Sequence, residues 1–414
     1  MVLKIKKIIP KEIFNIYHFL LALFSAILFR FPSFNKKIKV IGITGTNGKS
    51  TTAEMIAEIL KNSGFKIALL SSIHFLIGEQ KINNELRMTM PGRFFVQKFL
   101  RKAVNCGCQF AILEVTSEGI KQYRHKFIKF DSAVFLNLFP EHIESHGSFE
   151  KYRKAKLELF KVTKKTHIIN IDDENAKYFL EIHSQKKYLF GFKKESQKCK
   201  IETQEKNLKK ELEFNLSLKI PGDFNIYNAM AAICVGLEYG VKIEDSLKIL
   251  KSFKGVPGRM EEVISDPFKV IVDYAFTPIA LEKVYQTLTS QLTTKNSRLI
   301  CVLGSAGGGR DKWKRPVLGE IAAKYCQEII ITNEDPYDED PWQIIEQVAK
   351  GAGKKAKKIL DRREAIRESL KLAQSGDVVV ITGKGCEPSI CVAKGKKIPW
   401  DDRKVAREEF ESLR

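Results

Sequence analysis

Lys49 and Ser50 stand directly behind Gly48 in the stretch Val40-Ile41-Gly42-Ile43-Thr44-Gly45-Thr46-Asn47-Gly48-Lys49-Ser50-Thr51-Thr52. That order of residue types suits a polyphosphate. Glycines let backbone N–H groups turn inward around an anion, and a following helix adds the partial positive charge of its N-terminus. The lysine then reaches the β- and γ-phosphates while the hydroxyl ligates Mg²⁺. The spacing departs from the strict G-x-x-x-x-G-K-[ST] pattern, because Ile43 stands where its first glycine would. Three further places carry chemistry. Glu114 closes an apolar run in Glu114-Val115-Thr116-Ser117-Glu118-Gly119, where a carboxylate can hold Mg²⁺ beside a phosphate loop. Two His and two Glu crowd into Glu141-His142-Ile143-Glu144-Ser145-His146, and Tyr152 and Lys156 fall one turn apart on an expected helix from Phe149 to Val162.

The elements that must position these groups follow from hydrophobic spacing. Ile38, Val40, Ile41 and Ile43 make a β-branched strand, and Met55, Ile56, Ile59 and Leu60 recur at helical spacing behind Ser50. The alternation continues through a strand at Ile67, a helix from Phe94 to Val104 and strands at Phe110, Ser132 and His167. Short apolar runs separated by amphipathic helices imply a parallel sheet covered on both faces, with ligands collecting at the carboxyl ends of its strands. Residues 185–215 are Lys-rich and read as a β-meander or surface hairpins, and Gly222 to Asn228 starts a helix rich in alanine. Gly255-Val256-Pro257-Gly258 reads as a linker turn, beyond which strands at Val270, Leu299, Ile329 and Asp377 restart the pattern. The expected fold is α/β: a P-loop, parallel-sheet ATPase domain followed by a smaller Rossmann-like α/β domain. The expected domains are residues 38–255 and 256–414, preceded by an apolar helical segment at 1–37.

Composition bounds the function. With 44% apolar residues, 414 residues are ample for two or three packed domains. The net charge of +21 is spread as scattered lysines (Lys209-Lys210, Lys354-Lys355, Lys357-Lys358) with no interleaved aromatics to stack bases, which argues against nucleic acid. Eight cysteines without a C-x-x-C pair give no zinc site and suit reduced thiols in a cytoplasm. Ile13 to Phe31 is almost wholly apolar behind Lys4, Lys6, Lys7 and Lys11. No small-residue cleavage site precedes Pro32-Ser33, so the segment does not read as a secretory signal. Two readings stay open for residues 13–31: an anchor or interfacial helix at the inner membrane, and a helix docked on the following domain.

Taken together, the motifs resemble the Mur ligases, most closely the MurE type, which adds the third amino acid to UDP-N-acetylmuramoyl-L-alanyl-D-glutamate. The resemblance rests on Thr44 to Ser50, Glu114-Val-Thr-Ser, Asn137 through His142 to Gly147, Tyr152 to Lys156, Gly222 to Asn228, Pro257-Gly-Arg-Met-Glu, Asp273 to Pro278, Gly309 to Pro316, Glu334-Asp335-Pro336 and Gly383 to Glu387. It implies an ATP-dependent amide ligase of peptidoglycan synthesis: a substrate carboxylate is phosphorylated, and an amine then displaces phosphate from the acyl phosphate. By this resemblance Gly45, Thr46, Asn47, Gly48, Lys49, Ser50 and Thr51 cradle ATP, with Asn225 and Asn228 on the adenine side and Arg310 and Asp311 contributed by the C-terminal domain. Ser50, Glu114, His142 and Lys156 would serve two Mg²⁺ sites, Lys156 as a carbamate. Lys49, Lys156, His142 and Arg310 are the catalytic candidates, and Thr116, Ser117, Arg124, Asp335 and Glu387 the substrate-binding ones. The expected partners are the UDP-linked muramoyl dipeptide and an amino acid, and a monomer is the default.

The departures bear on specificity. Only 37 residues precede the first strand, so the family's UDP-gripping N-terminal domain is expected to be missing. Glu118, Phe276 and Cys386 replace histidines of the family pattern, and Glu141 an aspartate. Where diaminopimelate-adding enzymes carry Asp-Asn-Pro-Arg, this chain has Glu334-Asp335-Pro336-Tyr337, followed by Asp338, Glu339 and Asp340, an acidic cluster suited to a cationic acceptor such as lysine or ornithine. The rival readings are a folylpolyglutamate synthase-like ligase, a membrane-tethered Mur-like scaffold, and a ligase acting on a lipid-linked acceptor.

Overall fold

The computed structural model describes residues 11–413 apart from Arg87, residues 194–195 and 206–207, Thr293 and Lys295. The basic flank Lys4, Lys6 and Lys7 lies outside the described residues. Two compact units are present, one drawn from Met1–Leu138, Glu150–Lys219 and Asn225–Phe253, the other from Phe139–Phe149, Ile220–Phe224 and Lys254–Arg414.

The first unit is built on a ten-stranded sheet. Its strands are β1 (Lys39–Thr44), β2 (Ile67–Leu70), β3 (His74–Ile77), β4 (Gln80–Asn83), β5 (Phe110–Glu114), β6 (Ser132–Phe135), β7 (Thr166–Asn170), β8 (Lys186–Lys193), β9 (Lys198–Glu205) and β10 (Leu208–Phe214), in the order β10-β9-β8-β7-β6-β1-β5-β2-β3-β4. The central six, β8-β7-β6-β1-β5-β2, are parallel, and antiparallel hairpins extend both edges. Strand β1 lies between β5 and β6. Val40, Ile41 and Ile43 are fully buried there, because a strand covered on both faces has no polar side to offer. The Lys-rich stretch after residue 185 is the β8-β9-β10 meander, whose outermost strand is exposed along nearly its whole length.

The second unit carries a six-stranded sheet of β11 (Glu261–Ile264), β12 (Lys269–Asp273), β13 (Leu299–Leu303), β14 (Glu328–Ile331), β15 (Ala356–Lys358) and β16 (Val378–Thr382), in the order β11-β12-β16-β13-β14-β15, parallel except for β11. Alternate residues feed two cores. Leu299, Cys301 and Leu303 pack with Leu281, Tyr285 and Leu318 on one face, while Ile300 and Val302 pack with Ile366, Leu370 and Val405 on the other.

The apolar N-terminal segment forms an 18-residue helix, Lys11–Leu28. Among the described residues no helix is long and apolar enough to cross a membrane. This helix packs on the Arg93–Asn105 helix of its own unit. His18 Nδ1 lies 2.7 Å from Arg93 Nη2, and Phe24 meets Phe94 edge to face at 5.9 Å. Arg101 donates to the carbonyls of Phe29 and Arg30 at 2.8–2.9 Å, a cation on the carbonyl end of the helix.

Candidate active site

In the first unit the phosphate-loop sequence leaves the carboxyl end of β1 and enters the Lys49–Asn62 helix through Gly48, whose φ is 84°. Glycine is required there twice over: the backbone is left-handed, and a Cβ would sit 2.3 Å from Asn228 Oδ1. The loop is clamped to the next strand end. Asn137 Oδ1 accepts from Asn47 N at 2.9 Å, Asn137 Nδ2 donates to Asn47 O at 3.1 Å, and Thr46 N donates to Asn137 O at 3.0 Å. On the far side Asn228 Oδ1 accepts from Thr52 Oγ1 at 3.2 Å while Asn228 Nδ2 donates to Asn225 Oδ1 at 3.1 Å. Asn225 and Asn228 are both buried, as is Thr51.

Two lysines converge on this loop. Lys49 Nζ donates to Gly45 O at 3.0 Å and Thr46 O at 2.9 Å, and Lys156 Nζ donates to the same Gly45 O at 2.8 Å. The Phe149–Val162 helix turns Tyr152 and Lys156 inward together, so that Tyr152 OH lies 3.2 Å from Thr46 Oγ1 and Lys156 Nζ 4.8 Å from the Tyr152 ring centre. Lys156 is only 2% exposed. Burial, helped by the neighbouring Lys49 charge, pushes its pKa well below the usual lysine value.

Ser50 and Glu114 are joined by a residue that sequence reasoning missed. Ser50 Oγ lies 2.7 Å from Ser72 Oγ, and Glu114 Oε1 accepts from Ser72 N at 2.8 Å and from Ser72 Oγ at 3.3 Å. Ser72 follows β2, which pairs with β5, so the sheet register carries it to Glu114; nothing local in the sequence singles it out. Among the described residues no group of three or more His, Cys, Asp or Glu stands together as a ready-made metal cage. A hydroxyl and one buried carboxylate are nonetheless the hard oxygen donors that Mg²⁺ takes alongside phosphates. Thr116 caps the Ser117–Lys121 helix by accepting from Gly119 N at 3.0 Å, and Ser117 is buried at its start. Arg124 donates to Met90 O and, at 2.7 Å, to Gln122 Oε1.

The other expected residues belong to the second unit. His142 opens the short Ile143–His146 helix with a left-handed φ of 58°. Asp311 holds that helix, accepting from Glu144 N at 2.9 Å and Ile143 N at 3.3 Å. Beside it Lys314 Nζ meets Glu141 Oε1 at 2.9 Å, both side chains being almost fully buried. Burial lifts the Glu141 pKa against the pull of Lys314. Desolvation works against the Arg310 charge, but Tyr337, Tyr274 and Glu387 outweigh it and raise its pKa.

Asp335 and Glu387 share a cation. Lys384, fully buried, reaches Asp335 at 2.9 and 3.0 Å and Glu387 Oε2 at 2.5 Å, and Glu387 Oε1 accepts from Tyr274 OH at 2.8 Å. Arg259 lies 4.1 Å over the Tyr274 ring, and Gly258 presses on Cys386, where a Cβ would come within 2.3 Å of Cys386 N. Burial, with Asp335 adjoining, raises the Glu334 pKa to about 7. The acidic cluster after Tyr337 is structurally engaged. Asp338 accepts from Lys394 N at 2.8 Å, Glu339 pairs with Arg315 and Lys312 at 3.1 and 3.2 Å, and Asp340 caps the Pro341–Ala352 helix.

Both units have relatives in known proteins. Residues 43–236 match the Mur ligase middle domain, and residues 258–385 match the Mur ligase, glutamate ligase domain. The chain belongs to the Mur ligase family. UDP-N-acetylmuramoyl-L-alanyl-D-glutamate–2,6-diaminopimelate ligase of Syntrophomonas wolfei is 39% identical over 404 residues, covering 94% of this chain and 81% of the relative. A solved structure of a ligase of that name superposes with a TM-score of 0.58 at 28% identity, over 91% of this chain and 79% of that one. A Mycobacterium tuberculosis folylpolyglutamate synthase, solved with ADP and AMPPCP, reaches a TM-score of 0.67 at 15% identity over 90% of this chain and 96% of that one, a likeness of fold. The expected α/β class and the Mur ligase resemblance both hold.

Proposed function

We propose that this Mur ligase is the ATP-dependent enzyme that joins an amino acid, diaminopimelate, to UDP-N-acetylmuramoyl-L-alanyl-D-glutamate in making the peptidoglycan precursor. The observation that carries the reading is the convergence of Lys49 and Lys156 on Gly45 O, at a phosphate loop in a chain that matches both Mur domains. The 39% identity to the diaminopimelate ligase of Syntrophomonas wolfei supports diaminopimelate. The acidic run at 338–340 does not stand as an open site for a cationic acceptor, since Asp338 and Asp340 are bound to backbone amides and Glu339 is paired with Arg315 and Lys312.

The chain's own residues account for the chemistry as follows. Gly45 to Gly48 offer backbone N–H groups to the phosphates, and Lys49 swings from its own carbonyls onto the oxygens where charge accumulates during transfer. Ser50, with Glu114 fixed by Ser72, provides hard oxygens for Mg²⁺. The metal, when bound, supplies charge neutralisation to the transferring phosphoryl group. Burial and the neighbouring Lys49 charge drive Lys156 toward the neutral amine, the form that adds to CO₂, and carbamylation there would supply a second anionic oxygen donor. Glu387, set by Tyr274 and Lys384, is the group offered to the acceptor's ammonium. Eight free cysteines suit a cytoplasmic enzyme.

The test is ADP release with Mg²⁺-ATP and the UDP-linked dipeptide against diaminopimelate, lysine, ornithine and no amine. Turnover that requires diaminopimelate is expected. Turnover with lysine alone overturns the acceptor, and nucleotide binding without turnover on any amine overturns the ligase reading.

A further inference from the structure

The Lys11–Leu28 helix is built the wrong way round for a surface helix. Its most deeply buried positions are small or polar: Ala22, Ser25 and Ala26 are at most 1% exposed, and His18 meets Arg93. Its outward face is large and apolar, with Ile13, Ile16, Tyr17, Leu20, Phe24 and Ile27 each 54–59% exposed. At 100° per residue these six fall within a stripe about 100° wide along roughly 21 Å of helix. Singly exposed apolar residues are ordinary, but a continuous stripe of this size marks an interaction surface.

The charge of the sequence on either side of the stripe, and of the helix beside it, says what it meets. Residues 1–39 carry Lys4, Lys6, Lys7, Lys11, Arg30, Lys36, Lys37 and Lys39 against a single acid, Glu12. The charged residues of the neighbouring Arg93–Asn105 helix are Arg93, Lys98, Arg101 and Lys102, all basic. A second copy of this chain, itself at net charge +21, would bring like charge against like across the stripe. An anionic bilayer is complementary in both respects, apolar at acyl depth and negative at the headgroups. Because the inward face is held by its own domain, the helix lies in the interface rather than crossing it.

We propose that the outer face of the Lys11–Leu28 helix docks this protein on an anionic lipid surface. The proposal stands apart from the ligase reading, since it uses none of the residues assigned to nucleotide or substrate.

The experiment is flotation of the full chain with vesicles of phosphatidylcholine containing 30% phosphatidylglycerol, and with phosphatidylcholine alone. Binding to the anionic vesicles is expected, weakened about tenfold or more without anionic lipid and by molar salt. The double variant Ile16→Glu/Leu20→Glu, at two exposed positions of the stripe, should abolish it while leaving the thermal midpoint and vesicle-free ATP binding unchanged. A Phe24→Trp variant should shift its emission to the blue on anionic vesicles. No flotation with anionic vesicles, or flotation that survives Ile16→Glu/Leu20→Glu, overturns the proposal. So does a dimer in sedimentation equilibrium that the double variant dissociates while vesicles go unbound, which would make the stripe a homodimer face.

Discussion

Replacing Gly48 by alanine perturbs the phosphate loop in two separable ways. The first is conformational: at φ 84° an alanine is held left-handed, at roughly 1 kcal/mol. The second is steric, because the new Cβ would stand 2.3 Å from Asn228 Oδ1, whereas real Cβ contacts essentially never fall below 3.0 Å. Asn228 must therefore withdraw, and it is tied by hydrogen bonds to Thr52 and Asn225. Losing both adds about 2 kcal/mol, for a total near 3 kcal/mol. Asn228→Ala alone loses the same two bonds and costs about 2 kcal/mol. Once Asn228 is truncated there is nothing left to displace, so Gly48→Ala/Asn228→Ala should cost about 3 kcal/mol rather than the 5 kcal/mol of simple addition. The assay is denaturant unfolding of the four proteins, with hydrogen exchange at the Lys49–Asn62 helix reporting the first unit by itself. A coupling of about 2 kcal/mol is expected. Additive single and double variants would refute the steric argument, since the two side chains would then not compete for one space.

Lys156→Met keeps volume and removes a buried amine, so stability should hold or rise while ligase turnover falls by at least a hundredfold; CO₂ depletion should slow the parent enzyme and leave the variant's residual rate unchanged. Lys384→Met strands Asp335 and Glu387 without their shared cation and should destabilise the second unit by about 3 kcal/mol, part of it recovered by Asp335→Asn; a change under about 1 kcal/mol in thermal or denaturant unfolding would count against the buried triad. Glu334 has its pKa raised to about 7 from 4.5, so the folded state keeps a proton that the unfolded chain gives up. Its penalty is absent below pH 4.5, grows as pH rises toward 7 and is complete above it, at about 3 kcal/mol. Glu334→Gln should flatten that fall between pH 4.5 and 7, measured by unfolding midpoints across the range, and an unchanged pH profile would remove Glu334 as its source.

The phosphate loop was legible because its signals are local. A β-branched run, a turn that needs glycine and a helix with apolar residues at 3.6 spacing all lie within about twenty residues. The Tyr152–Lys156 pair was legible for the same reason, since i and i+4 share a helix face wherever the helix docks. What stayed hidden depends on pairing over long separations. Ser72 reaches Glu114 only through the β2–β5 register, and Lys384 finds Asp335 only because β16 and β14 flank β13. The acidic run at 338–340 looked like a site because charge density is visible in sequence. Its partners Arg315, Lys312 and the Lys394 amide are not, being supplied by other loops and helices. The N-terminal helix reads as apolar all round in one dimension; only packing separates its small inner face from its large outer one.

The lysine pair on Gly45 O shows why a loop of this kind waits for an anion. One carbonyl accepts from both lysine side chains, Lys49 at 3.0 Å and Lys156 at 2.8 Å, and two ammonium charges so placed would repel by several kcal/mol at the effective dielectric of a partly buried site. The fold relieves this by making Lys156 the easier of the two to deprotonate, because Lys156 is the more deeply buried. Lys49 meanwhile reaches backbone carbonyls, which are weaker partners than phosphate oxygens. An arriving polyphosphate therefore offers Lys49 charged acceptors in place of carbonyls, and a carbamate on Lys156 would set an anion beside its ammonium. Both changes act in the same direction. The same geometry that destabilises the loop when cations face each other strengthens its hold on a nucleotide, so Lys49→Ala should weaken ATP binding far more than it disturbs the fold.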